Sequence, residues 1–229
     1  MHYLIASAIV LLLSSTPILR ADETVSIGSS KAVLLRSSAP RASIILMPGG
    51  DGYIAAGPGG TIGKFKGNQL VRTRNAYLAQ GLAVLVVDAD VNLARAVDYM
   101  AAIKRPVTVV ATSKGTLRAA HGLAGGAKPD ALVLTSGFLT DGSGSRQNVA
   151  NILGSPRLLP RTLVIAHRHD SCRFTLPAGV EPFIRWAGGK ARVKWLDGGL
   201  DSGDPCQARS YHGFNGLDGE VVSEAAGFH

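Results

Sequence analysis

The sequence predicts a single α/β domain built on a mostly parallel, doubly wound sheet of about seven or eight strands. Its 229 residues suit one sizeable domain and are few for two. Short apolar, β-branched runs recur, and several (LAVLVV, VTVVA, ALVLT, TLVIA) show no alternation, as strands buried on both faces do. Stretches of helical period separate most of these runs, and that order gives parallel strands with helices on both faces.

The strands are expected at Ala32–Leu35, Ser43–Met47, Ala83–Val87, Val107–Ala111, Ala131–Thr135, Thr162–Ala166 and Arg192–Leu196. The helices are expected at Asn68–Gln80, Leu93–Ile103, Lys114–Leu123, Arg146–Leu153, about Glu181–Ala187 and Gly219–Ala226. No internal repeat, low-complexity linker or charge block interrupts them. Ligands in such sheets sit beyond the carboxyl ends of the strands, so chemistry is sought there.

The apolar fraction of 46% excludes disorder, and two cysteines exclude a four-cysteine zinc scaffold or a disulfide-dense miniprotein. Tyr3–Leu13 is an eleven-residue run without charge, too short to span a bilayer and suited to the apolar region of a secretory signal. The expected division is a signal peptide over 1–21, cleaved after Ala21, and one α/β domain over 22–229, with no membrane span left after cleavage. The n-region carries no Lys or Arg, and a buried N-terminal element and an uncleaved anchor are the alternatives. Export, to the periplasm, would let Cys172 and Cys206 form a disulfide; in a reducing compartment they would be unrelated thiols.

Val107–Ala111 runs into Thr112-Ser113-Lys114-Gly115 and a helix. The pattern is A-x-S-x-G, with Ala111 where G-x-S-x-G has its first glycine. A sharp strand-to-helix turn there exposes a serine hydroxyl, and the helix N-terminus behind it favours developing negative charge. The bland alternative is a serine that caps a helix. Ser43–Met47 ends in Pro48-Gly49-Gly50-Asp51-Gly52, a turn able to offer a backbone N–H. Acyl transfer needs two such donors, expected from Gly50 and from Lys114, the residue after the serine. The turn fits neither phosphate-loop pattern. Thr162–Ala166 ends in His167-Arg168-His169-Asp170-Ser171-Cys172, and His212 stands in a loop before the last helix. The order Ser113, Asp170, His212 is that of hydrolases built on this sheet. A Cys172–Cys206 bridge would tie the loop of the acid to the loop of the histidine.

Together these residues resemble the α/β-hydrolase superfamily, and within it small exported bacterial proteins without a large lid. The resemblance covers residues 40–229 and rests on Gly49-Gly50-Asp51-Gly52, Gly67-Asn68 with Arg72 and Arg74, Val87-Asp88-Ala89-Asp90, Thr112-Ser113-Lys114-Gly115-Thr116, His167-x-x-Asp170-x-Cys172, Asp204-Pro205-Cys206 and Tyr211-His212-Gly213. It implies an α/β-hydrolase fold, Ser113 as nucleophile, Asp170 as acid, His212 as base, and esterase-like hydrolysis of a small acyl substrate. No cofactor and no metal are expected. The other reading is a hydrolase-fold binding or accessory protein that does not turn over, which Ala111 permits and the complete Ser, Asp and His set opposes.

Asp141, six residues past Ala131–Thr135, is the rival acid. Asp201 and Asp204 read as turn formers, His121 as a helix residue and His229 as a terminal one. A metal site of His167, His169 and His212 would need a further ligand. The 24 Lys and Arg against 16 Asp and Glu give a net charge of +8, but the cations are scattered and not interleaved with aromatics, so no nucleic-acid partner is expected. Arg72 and Arg74 are reserved as candidate binders of an anionic substrate group. The short connection between Thr135 and Thr162 leaves no room for a cap domain and implies a shallow, open pocket.

Overall fold

The computed structural model describes residues 22–229. The expected signal peptide, residues 1–21, lies outside the described residues. In chain order the strands are β1 (Glu23–Ile27), β2 (Ser30–Leu35), β3 (Ala42–Met47), the short β4 (Ala56–Gly57) and β5 (Thr61–Ile62), β6 (Leu82–Val87), β7 (Val107–Thr112), β8 (Ala131–Thr135), β9 (Arg161–His167) and β10 (Ala191–Leu196). The helices are α1 (Gln69–Arg72), α2 (Arg74–Ala79), α3 (Leu93–Ile103), α4 (Lys114–Ala124), α5 (Val149–Leu153), α6 (Val180–Trp186) and α7 (Asp218–Ala226). Eight strands form one sheet in the order β1-β2-β6-β3-β7-β8-β9-β10. The β1–β2 and β2–β6 pairs are antiparallel, and all later pairs are parallel.

The non-alternating runs are the central strands. Every residue of β3, β6, β7 and β8 is buried, because helices cover both faces. Along these strands the side chains alternate between two cores. Ile45, Val109 and Leu132 pack with Val97 and Met100 of α3 and Leu123 of α4. Ile44, Val110 and Val133 pack on the other face with Tyr77 of α2 and Val221 and Val222 of α7. Each such side chain contributes about 1.5–3 kcal/mol when withdrawn from water.

The chain leaves β3 towards β6 on one side, and β7 continues on the other side towards β8. The strand order therefore reverses at the β3–β7 pair, where Met47 lies opposite Ala111. A crevice opens above such a point because successive connections diverge to opposite faces. The loops after β3 and β7 flank it.

The short strands β4 and β5 were not expected, and two longer elements also differ from the expected ones. Asn68–Gln80 is two short helices, broken at Thr73, whose φ and ψ of −96° and 2° leave the helical range. β1 went unpredicted; it is an edge strand with mostly half-buried side chains and no apolar run. No helix among the described residues is long and apolar enough to cross a membrane.

Candidate active site

Ser113 sits between the last residue of β7 and the first of α4, with φ 52° and ψ −127°. That left-handed φ is strained for a residue with a Cβ and persists only when its surroundings hold it. They do so closely. The Ser113 N–H donates to Thr135 O at 3.0 Å, and Thr116 Oγ1 donates to Ser113 O at 2.7 Å. A Cβ on Gly49 would stand 2.9 Å from Ser113 Cβ, so the loop after β3 needs glycine at that point. Ala111 is fully buried between β3 and β8, and the sharp turn forms with alanine there.

The loop after β3 is held from two directions. Arg118 of α4 donates to Pro48 O and, at 3.2 Å, to Gly50 O. Burial holds the guanidinium below its ordinary arginine range, opposed by the Asp51 charge. Asp88, at the end of β6, accepts from the N–H groups of Ile54 and Ala56. Burial raises the Asp88 carboxyl above the usual carboxylate range, against those backbone donors. Gly50, with φ 57°, lies under the Phe65 ring, and Lys114 opens α4, so its N–H has no acceptor within the helix.

His212 lies in a 3-10 turn, Tyr211–Gly213, and is buried. Its backbone is fixed on both sides: Ser136 Oγ donates to His212 O at 2.7 Å, and Arg72 Nη2 to Gly213 O at 2.8 Å. Its Nδ1 is 3.1 Å from Asp170 Oδ2 and 2.9 Å from Thr175 Oγ1. Asp170 Oδ2 also accepts from Thr175 Oγ1 at 3.0 Å, and Oδ1 accepts from the Cys172 N–H at 2.9 Å. Cys172 and Cys206 are joined by a disulfide, with their Cα atoms 4.6 Å apart.

Ser113, His212, Gly50, Lys114 and both cysteines line one cavity of about 510 Å³. Asp170 stands behind His212, outside that lining. Phe65, Phe138 and Phe174 supply apolar wall, with Phe138 and Phe174 stacked at 6.0 Å. Among the described residues, no hydrogen bond joins Ser113 Oγ to His212.

The remaining candidate residues have partners of their own. Asp141 accepts from Asn148 at 2.7 Å and Asn151 at 2.8 Å, and it does not reach His212. Arg72 is not an anion binder at this cavity: it pairs with Asp218 through two 2.8 Å contacts and donates to Gly67, Ala208 and Gly213 carbonyls. Arg74 donates to Val71 O at 2.8 Å and lies outside the lining. His167 has both ring nitrogens engaged, with Gly198 O and the His169 N–H, and stacks on Tyr211 at 4.3 Å. Asp204 accepts from the Cys206 N–H at 2.7 Å, as a turn former does. Thr175, Ser136 and the three phenylalanines were not singled out in the sequence. They come from separate loops, and no local pattern links them.

No family model and no curated protein matches the sequence. Solved structures do match the fold. A dienelactone hydrolase from Anabaena variabilis aligns with a TM-score of 0.60 at 14% identity, over 93% of this chain and 96% of that one. An esterase from Pyrococcus furiosus aligns with a TM-score of 0.60 at 14% identity, over 91% and 88%. An α/β serine hydrolase without a lid from Xanthomonas campestris aligns with a TM-score of 0.58 at 12% identity, over 92% and 97%. The chain has the α/β-hydrolase fold, with no large lid.

Proposed function

We propose that the protein is a serine hydrolase that cleaves small acyl esters. One observation carries this reading: a serine in a strained turn shares a cavity with a histidine whose far nitrogen faces a buried carboxylate. In this reading Ser113 Oγ attacks the acyl carbon as His212 Nε2 takes its proton. Asp170 holds the Nδ1–H and stabilises the imidazolium without taking a proton itself. The N–H groups of Gly50 and Lys114 receive the oxyanion, each worth about 3–4 kcal/mol of barrier. His212 returns the proton to the leaving group, and water repeats the sequence to free the acid.

The Phe65, Phe138 and Phe174 rings in the cavity wall support an apolar acyl group. Among the lining residues, only Lys114 carries a permanent charge. The disulfide supports an oxidising compartment, in keeping with export to the periplasm.

The test is labelling by a fluorophosphonate probe, with turnover of activated short esters, for the wild type and Ser113→Ala. Labelling and turnover by the wild type, both lost in Ser113→Ala, are expected. A wild type that does not label points to a binding protein on this fold. Labelling that survives in Ser113→Ala places the nucleophile elsewhere.

A further inference from the structure

The contact between acid and histidine contains a third group. Thr175 Oγ1 stands 2.9 Å from His212 Nδ1, nearer than Asp170 Oδ2 at 3.1 Å, and 3.0 Å from that same carboxylate oxygen. Thr175 is buried, and its N–H donates to Cys172 O at 2.9 Å. The Cys172 N–H in turn donates to Asp170 Oδ1 at 2.9 Å. One loop therefore fixes both the hydroxyl and the carboxylate.

The protons can be assigned by counting. A hydroxyl has one proton and two lone pairs, and an ionised carboxylate only accepts. All contacts in the triangle are attractive in a single arrangement. Thr175 donates to Asp170 Oδ2, and the proton on His212 Nδ1 points between that oxygen and Thr175 Oγ1. With Nδ1 bare, the Thr175 proton serves either Nδ1 or Oδ2, and the nitrogen lone pair faces the carboxylate. Such a pairing of lone pairs is costly where water is excluded.

We propose that Thr175 is a positioning residue whose hydroxyl closes a hydrogen-bonded ring with Asp170 and His212, fixing the Nδ1–H tautomer and leaving Nε2 bare towards the cavity. The proposal rests on the reading of His212 as general base. Thr175 itself touches no reacting atom.

Thr175→Val removes the hydroxyl and keeps the branched shape; Thr175→Ser keeps the hydroxyl. The two variants and the wild type are compared by kcat and KM on a short activated ester, and by the Nδ1 proton resonance of His212 in ¹⁵N-histidine-labelled protein. In Thr175→Val, kcat should fall roughly tenfold, equivalent to about 1.4 kcal/mol, with KM little changed. Thr175→Ser should restore kcat to within about threefold. The Nδ1 proton should be resolved in the wild type and Thr175→Ser, and should broaden through exchange with water in Thr175→Val. An unaltered resonance and kcat in Thr175→Val overturn the proposal, as does a folded Thr175→Ser with the tenfold loss. The serine arm decides the matter if the valine variant fails to fold. Should Ser113→Ala hydrolyse the ester as the wild type does, the base reading fails, and the Nδ1 resonance still shows whether Thr175 holds the ring.

Discussion

Gly115 presses against the Met47 carbonyl: a Cβ at position 115 would stand 2.3 Å from that oxygen and 2.8 Å from the Pro48 oxygen. This contact sets how closely α4 approaches β3, and so where the Ser113 turn lies beside the Gly49–Gly50 loop. Helix propensity alone favours Gly115→Ala by about 1 kcal/mol. The clash is with backbone, which cannot swing away, and overpacking of this kind costs roughly 1–3 kcal/mol. The clash should win. We expect Gly115→Ala to lower the unfolding midpoint and to cut ester turnover more than tenfold. A variant as stable and active as the wild type would show that α4 can retreat freely.

The Cys172–Cys206 bridge closes a sequence separation of 34 residues and ties the Asp170 loop to the chain leading to His212. The chain-entropy relation assigns such a closure about 3–4 kcal/mol. Replacing both cysteines with serine should lower stability by up to that amount. Because both residues also line the cavity, kcat should fall at temperatures where the variant is still folded. Thermal unfolding and kinetics on the same samples separate the two effects. Full kcat in the folded variant would limit the bridge to a stabilising role.

Much of the fold and part of the candidate site were legible in the sequence, for a physical reason. The strands β3, β6, β7 and β8 are buried on both faces, so their apolar runs are continuous and conspicuous. Ser113 was legible because its sharp turn needs small neighbours at fixed offsets. β1 was not, because an edge strand needs no apolar run. Thr175 and Ser136 act on His212 across the tertiary structure, and a lone hydroxyl in a loop has no periodicity. Arg72 is ambiguous in the sequence for a related reason: sequence shows a cation beside a glycine-rich segment, and only the fold supplies Asp218 and the carbonyls that occupy it.

Arg72 should therefore behave as a clamp. Its planar guanidinium meets both Asp218 oxygens and the Gly213 carbonyl beside His212. Lysine keeps the charge and loses this fork. Arg72→Lys should lower the unfolding midpoint and reduce kcat several-fold, equally for neutral and anionic esters. A selective loss on anionic esters, with stability unchanged, would return Arg72 to a substrate-binding role.

Arg118 joins the nucleophile helix to the loop after β3 through the Pro48 and Gly50 carbonyls. Arg118→Met keeps most of the side-chain bulk and removes those donors. Loss of a hydrogen bond from a charged donor to a buried acceptor, here Pro48 O, costs about 1.5–3 kcal/mol. Turnover should fall about tenfold, since Gly50 is the proposed oxyanion donor, while probe labelling of Ser113 slows but persists. Unchanged turnover would separate the position of Gly50 from its tether.

Asp88 makes a prediction about pH. Burial raises its carboxyl above the ordinary range in the folded protein, with the Ile54, Ala56 and Ala55 N–H groups opposing. The unfolded chain has an ordinary Asp, near ~3.9. Between that value and the raised native one, the folded state binds more protons than the unfolded state. Stability contributed by this group is therefore complete below the unfolded pKa and is lost as pH rises through the native one. Asp88→Asn keeps an oxygen for the Ile54 N–H and removes the titration. Urea midpoints measured from pH 4 upwards should decline more steeply, or rise less, for the wild type than for Asp88→Asn. Parallel curves would mean that Asp88 ionises as easily in the fold as in the open chain, and that its anchoring of the loop carries no desolvation cost.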